Sequence, residues 1–530
     1  LAGNISSSNA DTRTAPFAWA GGSAVIKNLH VTGSLTNTAR TSGIVGSCYA
    51  TTQISSCRVS ATVSGGNHTS GISISGGQIT NCLFDGKING TVSTAGFATY
   101  VADGTKITNC LFKPQSGSSI PSDQGCFYTS ESGKTPTLTN CYYTSTAGGT
   151  AQGENGSGMS AEQLVQNLGP SNWKVVGDNA IPKVHPGLSG EGTEASPYLI
   201  ASTTDWNNLV SAVNGGETYS GNYFKMTANV GTVSTWMTGT FSGTFDGDGK
   251  TLTVGYSTSA RYCAPFGTLG GTVKNLRVDG TVSTSGKSFG GIAAQVTTGK
   301  TATIQNCRVS TSFTSTLSGD NSSGSFVGVV WNGGTLNITG CAFTGSLTGS
   351  GNAFGGFLGY KDETGTCSMT DCLFAPASVT VSTLYAGTFS RPSAPTITNC
   401  YFTRTFGTAQ GLQARTIAAG DGVSSLSVTK GSGTTYNVAG ITVYSNGVDY
   451  NSNFYCGSGQ TVSLALTAET RSGYQFTQYA ASQGTLSAQT ATSATLTMPA
   501  ANSTANDAVT VTAQYSVPAA TAVDLGLPSG

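Results

Sequence analysis

Residues 79–84 read Ile-Thr-Asn-Cys-Leu-Phe, and the phase of their apolar positions decides the fold. Cys82 and Phe84 alternate as on a strand, where side chains return to one face every second residue. Ile79 is out of step with them by one. A single bent residue in between returns all three to the inside. Asn81 suits that place, because Asn tolerates the left-handed backbone region better than most residues. The hexapeptide therefore predicts strand, corner, strand.

The pattern recurs on both sides of this copy. It reads IKNLHV (26–31), ISSCRV (54–59), ITNCLF (107–112) and LTNCYY (138–143). It returns as VKNLRV (273–278), IQNCRV (304–309), ITGCAF (338–343), MTDCLF (369–374) and ITNCYF (397–402), spaced by 25 to 34 residues within each set. The substitutes at the corner are Ser56, Gly340 and Asp371, all turn residues. Between copies lies a Gly followed by small apolar residues, as in SGIVGS (42–47), SGISIS (70–75), AGFATY (95–100), FGGIAA (289–294) and FGGFLG (354–359). A unit of this length cannot bury its own face and must stack on its neighbours. Stacked coils of strand and corner make a parallel β-helix. Glycine is expected to supply the remaining corners, which would account for 73 glycines in 530 residues, about twice the usual ~7%.

Eight of the thirteen cysteines fall on the repeat: Cys57, Cys82, Cys110, Cys141, Cys307, Cys341, Cys372 and Cys400. Stacking places them in two inward ladders. In-register parallel neighbours lie one strand spacing apart with parallel Cβ vectors, too far for the ~3.8 Å that a disulfide prefers. Free, buried, unreactive thiols are expected. Metal binding is not, since paired C-x-x-C motifs are missing and there are three His. Cys48, Cys126, Cys263, Cys367 and Cys456 follow no pattern.

The segment APF…GGSAVIKNL (15–29) matches APFGTLGGTVKNL (264–276), so the module occurs twice. The second copy is preceded by about seventy residues with EGTEASPYLI (191–200), TTDWNNLVSAV (203–213) and GTFDGDGKTLTV (243–254). Trp206, Leu209, Val210 and Val213 form the apolar stripe of a helix, capped by Thr204 or Asp205 and ended by Gly215-Gly216. Residues 190–250 read as the first coils and N-terminal cap of module two. Ser160 and Gln163 form a capping-box pattern, and a short helix there with Trp173 is expected to close module one. Past residue 412 the repeat stops, and strand-like runs separated by Gly and Asn turns suggest an antiparallel sandwich. The expected organisation is module one over 1–185, module two over 186–412, a sandwich over 413–516 and, over 517–530, a Pro/Ala linker followed by DLGLPSG (524–530), which resembles the start of a further module. The fold class is all-β: two right-handed parallel β-helix modules with short capping helices, then a small antiparallel β-sandwich.

Composition narrows the function. Lys plus Arg and Asp plus Glu are 24 each, and charged residues are 9% of the chain against a typical ~25%. Such a chain is a poor nucleic-acid binder and lacks a polybasic membrane-binding segment. No apolar run reaches the ~18 residues of a transmembrane helix. With 37% hydrophobic residues it is too rich in core formers to be disordered. Position 1 is Leu and no signal peptide is visible, so a processed or excised fragment is expected. The hydroxyl-rich, sparsely charged surface points to an exported protein.

The unit G-[IF]-x-[GA] followed by [ILV]-x-N-[CL]-x-[FVY]-x-G resembles the GLUG-type repeat of bacterial surface and adhesin-like proteins. The stretch 190–230 looks like the segment that opens such β-helices in exported proteins of gut bacteria. SGYQF…ATLTMPA…VTVTAQY (472–515) is similar to the divergent internalin-type repeat found in the same proteins. Some GLUG-bearing chains are peptidases, but HExxH does not occur here, so that activity does not carry over.

Asp246 and Asp248 in DGDGK resemble a calcium loop, but position 257 is Ser where that loop needs Glu, and a β-turn is the expected reading. Lys274, Arg277 and Asp279 would be the groove residues of a polysaccharide lyase, or simply outward charges on a strand. His30, His68 and His185 stand isolated in sequence and read as surface residues. The expected function is a non-catalytic exported surface protein, serving adhesion or ligand display through the β-helix faces. Its partner would be a host or matrix protein or glycan, with no cofactor. The alternative is a glycan-binding or glycan-degrading β-helix protein.

Overall fold

The computed structural model describes all residues except 10–11, 130–132, 392–394, 430–435, 439–440, 445–446, 451–452, 502–507 and 520–530. The expected further module at 524–530 lies outside the described residues. The protein is all-β, 47% strand and 4% helix, with a solenoid of about 14 turns and a small antiparallel region at the C-terminus. Two units are compact, Leu1–Gly187 and Leu188–Gly530.

Each coil turns at the predicted corner. Asn28, Asn81, Asn109, Asn140, Asn275, Asn306 and Asn399 have φ between 49° and 60°, and Ser56, Gly340 and Asp371 share the conformation at 51°, 64° and 55°. The result around Asn81 is that Ile79, Cys82 and Phe84 are all fully buried. The corner backbone is bonded from coil to coil: Asn81 N donates to Thr108 O at 3.0 Å, and Asn109 N to Thr139 O at 3.0 Å. Side chains repeat the link, with Asn140 Nδ2 donating to Asn109 Oδ1 at 2.9 Å.

Three parallel faces result in unit one. The first stacks Val25–Lys27, Gln53–Ser55, Gln78–Thr80, Lys106–Thr108 and Thr137–Thr139. The second carries Arg58–Val59, Leu83–Phe84, Leu111–Phe112 and Tyr142–Tyr143 beyond the corner. The third stacks Arg13–Thr14, Arg40–Ser42, His68–Ser70 and Ser93–Ala95. Register puts like on like: Ile54, Ile79 and Ile107 are consecutive partners, as are Phe84 and Phe112, whose rings stack at 5.7 Å. Unit two repeats the arrangement with Ile304, Ile338, Met369 and Ile397 on its first face.

All thirteen cysteines are free and buried. In the ladders each thiol donates to the carbonyl two residues earlier, as from Cys82 to Thr80 O at 3.3 Å and from Cys307 to Gln305 O at 3.2 Å. Burial pushes Cys110 and Cys341 well above the usual thiol range, Cys126 to about 11 and Cys263 to about 12.

Glycine takes turns with positive φ, as at Gly76, Gly104, Gly249, Gly299 and Gly333, as predicted, and it has a second task that the sequence reading did not include. A Cβ on Gly71 would stand 2.1 Å from Gly96 O and 2.5 Å from Phe84 Cδ2; one on Gly356 would stand 1.7 Å from Thr388 O. The glycine of the G-[IF]-x-[GA] element is where the chain crosses the coil above at a distance that no side chain fits. Asn takes most of the corners.

Helix α1, Ala161–Leu168, has the predicted capping box: Gln163 N donates to Ser160 Oγ and Ser160 N to Gln163 Oε1. With the antiparallel hairpin Trp173–Val176 and Asn179–Pro182 it covers the outer flank of the second face, burying Leu83 and Leu111 together with Leu164, Leu168 and Trp173. The segment ends at the first corner, where Asn28 exchanges two hydrogen bonds of 2.6 Å with the backbone of His185.

Helix α2, Thr203–Asn214, buries Trp206, Leu209, Val210 and Val213 as predicted. Its N-cap is Ser202 rather than Thr204 or Asp205: Ser202 Oγ accepts from Asp205 N and donates to Asp205 Oδ2. Trp206 meets Phe245 and Phe266 edge-on at 6.0 and 5.8 Å. After the last coil, strand Leu412–Ala419 pairs in parallel with Tyr401–Phe402, then turns to pair with Asn453–Gly457 and Val509–Ser516. Two mainly antiparallel sheets there enclose Val462, Leu464, Leu496, Tyr479, Val509 and Val511.

In the folded protein a colorimetric thiol reagent is expected to find almost no reactive cysteine, and thirteen after denaturation without reductant; a denatured count near zero would contradict the ladder. Gly71→Ala is expected to cost about 2–3 kcal/mol, read as a lowered urea midpoint. An unchanged midpoint would show that the crossing has room.

Candidate functional site

The residues singled out in the sequence are not gathered into one site. Asp246 Oδ1 accepts from Asp248 N at 2.9 Å and from Asn275 Nδ2 at 2.9 Å, so Asp246 ends the corner ladder. Its other oxygen lies 3.6 Å from Lys274 Nζ, while Asp248 is 3.2 Å from Lys225 and 3.9 Å from Lys250. Three ammonium groups thus neutralise the two carboxylates. Among the described residues no group of three or more His, Cys, Asp or Glu is placed to hold a metal. Arg277 and Asp279 lie past the Asn275 corner on the next face, and Asp279 Oδ1 accepts from Gly280 N. His30 Nε2 lies 2.9 Å from Ser60 Oγ, and burial, helped by Arg58, lowers its pKa. His185 is held at the first corner as described above.

The third histidine stands elsewhere. Arg13 and Arg40 are register partners on the third face of unit one, Arg40 and His68 are the next pair, and His68 and Ser93 the next. The residues that follow, Thr14, Thr41, Thr69 and Thr94, are buried. Strand alternation therefore turns the Arg13, Arg40 and His68 side chains outward in one row. The chain then passes the tight glycine crossing at Gly43 and Gly71. Beyond it, bridges join Phe17, Val45, Ser73 and Ala98 coil to coil. Two residues further along, Trp19, Ser47, Ser75 and Tyr100 fall into a second row, and Ser47 Oγ lies 3.2 Å from Ser75 Oγ.

Between the rows is a hollow of about 360 Å³, lined by Arg13, Arg40 and His68 on one side, Ser47, Ser75 and Tyr100 on the other, and Ile74. The stem of Arg13 lies over Gly46, whose Cβ would stand 2.7 Å from Arg13 Cβ. Three other arginines meet carboxylates, Arg58 and Asp85 at 2.6 Å, Arg391 and Asp320 at 3.0 Å, Arg471 and Asp421 at 2.7 Å, whereas Arg277 and Arg415, like Arg13, have a buried guanidinium nitrogen without a hydrogen bond. Among the described residues neither Arg13 nor Arg40 has an ion-pair partner, and Arg13 Nε is buried without a hydrogen bond. At one end of the second row the exposed Trp19 and Tyr49 meet edge-on at 5.6 Å. The chemistry on offer is that of an oxyanion receptor with an aromatic rim. Guanidinium forks match carboxylate or sulfate oxygens two at a time.

Sequence reading placed His68 on the surface and passed over Arg13 and Arg40. A signal was present. Each basic residue opens the same five-residue element, Arg-Thr-Ala-Pro-Phe (13–17), Arg-Thr-Ser-Gly-Ile (40–44) and His-Thr-Ser-Gly-Ile (68–72), one repeat apart. Aligned on the crossing positions Gly291, Ser325, Gly356 and Thr388, the corresponding positions in unit two are Ser288, Ser322, Ala353 and Tyr385, all with left-handed φ. The basic row belongs to unit one.

Two further hollows lie in unit two. One, of about 380 Å³, runs beside α2 and Trp236. The other, of about 690 Å³, contains Arg471, already tied to Asp421 and Glu469.

A model of the divergent InlB B-repeat domain matches residues 424–518, in agreement with the resemblance noted over 472–515. Comparison with curated proteins gives no match. Among solved structures, one described as "a putative immunoglobulin A1 protease from Bacteroides ovatus" is 20% identical over 40% of this chain and 77% of that one, with a TM-score of 0.32. At that score the likeness carries no argument about this chain.

Adding millimolar calcium, or a chelator, is expected to leave the thermal midpoint where it is. A rise with calcium would restore the calcium-loop reading of Asp246 and Asp248.

Proposed function

We propose that this chain belongs to a non-catalytic, exported bacterial surface protein that holds a ligand of host or matrix origin against the third face of its first β-helix unit. The observation that carries the proposal is the outward row Arg13, Arg40 and His68 facing Ser47, Ser75 and Tyr100 across one hollow. Among the described residues neither guanidinium meets a carboxylate; an unpaired, partly buried charge is costly, and a ligand that supplies oxyanions removes the cost. The divergent InlB B-repeat match at the C-terminus supports a surface setting. So does the resemblance of the coils to GLUG-type repeats. Among the described residues no helix is long and apolar enough to cross a membrane.

A second reading, cleavage of an acidic glycan, is favoured by one feature. Arginine, histidine and tyrosine line the same hollow, and these are groups able to neutralise a carboxylate and move a proton.

Beads coated with the purified chain are expected to adhere to mucin-coated or matrix-coated surfaces more than albumin-coated beads do. Equal adhesion would overturn the ligand-holding proposal. Prolonged incubation with acidic glycans is expected to release no new chain ends; release would replace the non-catalytic reading with the second one.

A further inference from the structure

The hollow of unit one also limits the chemistry of what fills it, given the reading of it as a ligand site. Its polar wall presents two arginines that are register partners in adjacent coils, on strands about 4.8 Å apart along the stack. That spacing lets both forks reach oxygens of one carboxylate or sulfate, or of two anionic groups on neighbouring residues of a chain. The opposite wall offers the hydroxyls of Ser47 and Ser75 and then Tyr100, which is 49% exposed. An aromatic face is electron-rich and attracts the C–H bonds of a sugar ring. Small hydroxyls one coil apart match the hydroxyls of the same ring. Among the described residues no Asp or Glu lines the hollow.

Other anionic polymers fit less well. Nucleic acid is held by many phosphate contacts in series, and here only the first coils carry arginine in the row. An acidic peptide would seek a free strand edge or apolar side-chain pockets. The third face is paired coil to coil at Arg40–Ser42 and His68–Ser70, and among the described lining residues Ile74 is the one aliphatic side chain.

We infer that this groove binds an acidic saccharide, its carboxylate or sulfate oxygens on Arg13 and Arg40 and a sugar face on Tyr100. The Trp19–Tyr49 pair extends the second row and offers a platform for a further residue of the glycan.

The test uses the full chain and four probes: polygalacturonate, a sulfated galactan, neutral dextran and polyglutamate. Binding to one or both acidic polysaccharides is expected, with dextran and polyglutamate much weaker; the two acidic arms report whether carboxylate or sulfate is the group held. The double variant Arg13→Gln/Arg40→Gln is expected to lose about tenfold to a hundredfold in affinity, the range for removing charge-assisted hydrogen bonds. Tyr100→Ala, at an exposed rim position, is expected to lose about fivefold to tenfold with an unchanged thermal midpoint. Equal binding of dextran, stronger binding of polyglutamate, or affinity indifferent to all three residues would overturn the inference. Adhesion of coated beads that persists in the double variant would overturn the groove while leaving a surface role intact. Saccharide binding without bead adhesion would do the reverse.

Discussion

One backbone state, a single residue per coil held near φ +50° between two short strands, underlies the whole solenoid. It converts a sequence that is out of phase by one into three consecutive inward side chains, as at Ile79, Cys82 and Phe84. It sets the place where Asn amides stack, because a left-handed residue points its side chain along the coil axis to the next corner. It also explains Cys at the following position. Directly after the bend a thiol reaches the carbonyl two residues back, and in the first copy of each set Leu29 and Leu276 take the same place. Asp246 and Asp371 belong to the same system, each accepting from the Asn amide of the next coil, which gives these acidic residues a structural reason to exist.

A second consequence lies on the outside. The residue between Cys and the aromatic points away from the core. In both units it is charged or polar early and apolar late: His30, Arg58, then Leu83, Leu111, Tyr142, and again Arg277, Arg308, then Ala342, Leu373, Tyr401. The apolar ones are the ones that get covered. In unit one α1 and its hairpin bury Leu83 and Leu111. In unit two Ala414 and Tyr455 pack on Ala342, Leu373 and Tyr401. The chain that follows each coil stack thus folds back on the flank that the alternation has made hydrophobic. Burial of a Leu of this kind is worth roughly 1.5–3 kcal/mol, enough to hold a short helix that would be marginal alone.

The repeat, corner, thiol ladders and α2 stripe were legible because each is written within one coil or one helix. The α2 cap was misread by a few residues, since Ser202 and Asp205 satisfy each other reciprocally and either type suits the position. Glycine's second role was missed because conformational freedom is visible in a sequence and inter-coil clearance is not. The basic hollow was missed for a related reason. Arg13, Arg40 and His68 are neighbours only after stacking, and each alone looks like an ordinary surface charge. Reading residues down the repeat columns, rather than along the chain, recovers both the basic row and the covered flank.

The thiol ladders bear on how such a chain comes to be folded at all. Consecutive ladder cysteines are one repeat apart in sequence, and loops of that length close readily in a flexible chain. A disulfide formed before coiling between cysteines two or more coils apart would join residues that the stack separates, and the coils between them could not seat. Once the coils are stacked, the same thiols are sealed from oxidants by the core. For a chain that meets an oxidising compartment while still extended, the yield of native protein is therefore set by a race between coiling and oxidation, and the order in which the two occur matters more than the final redox balance.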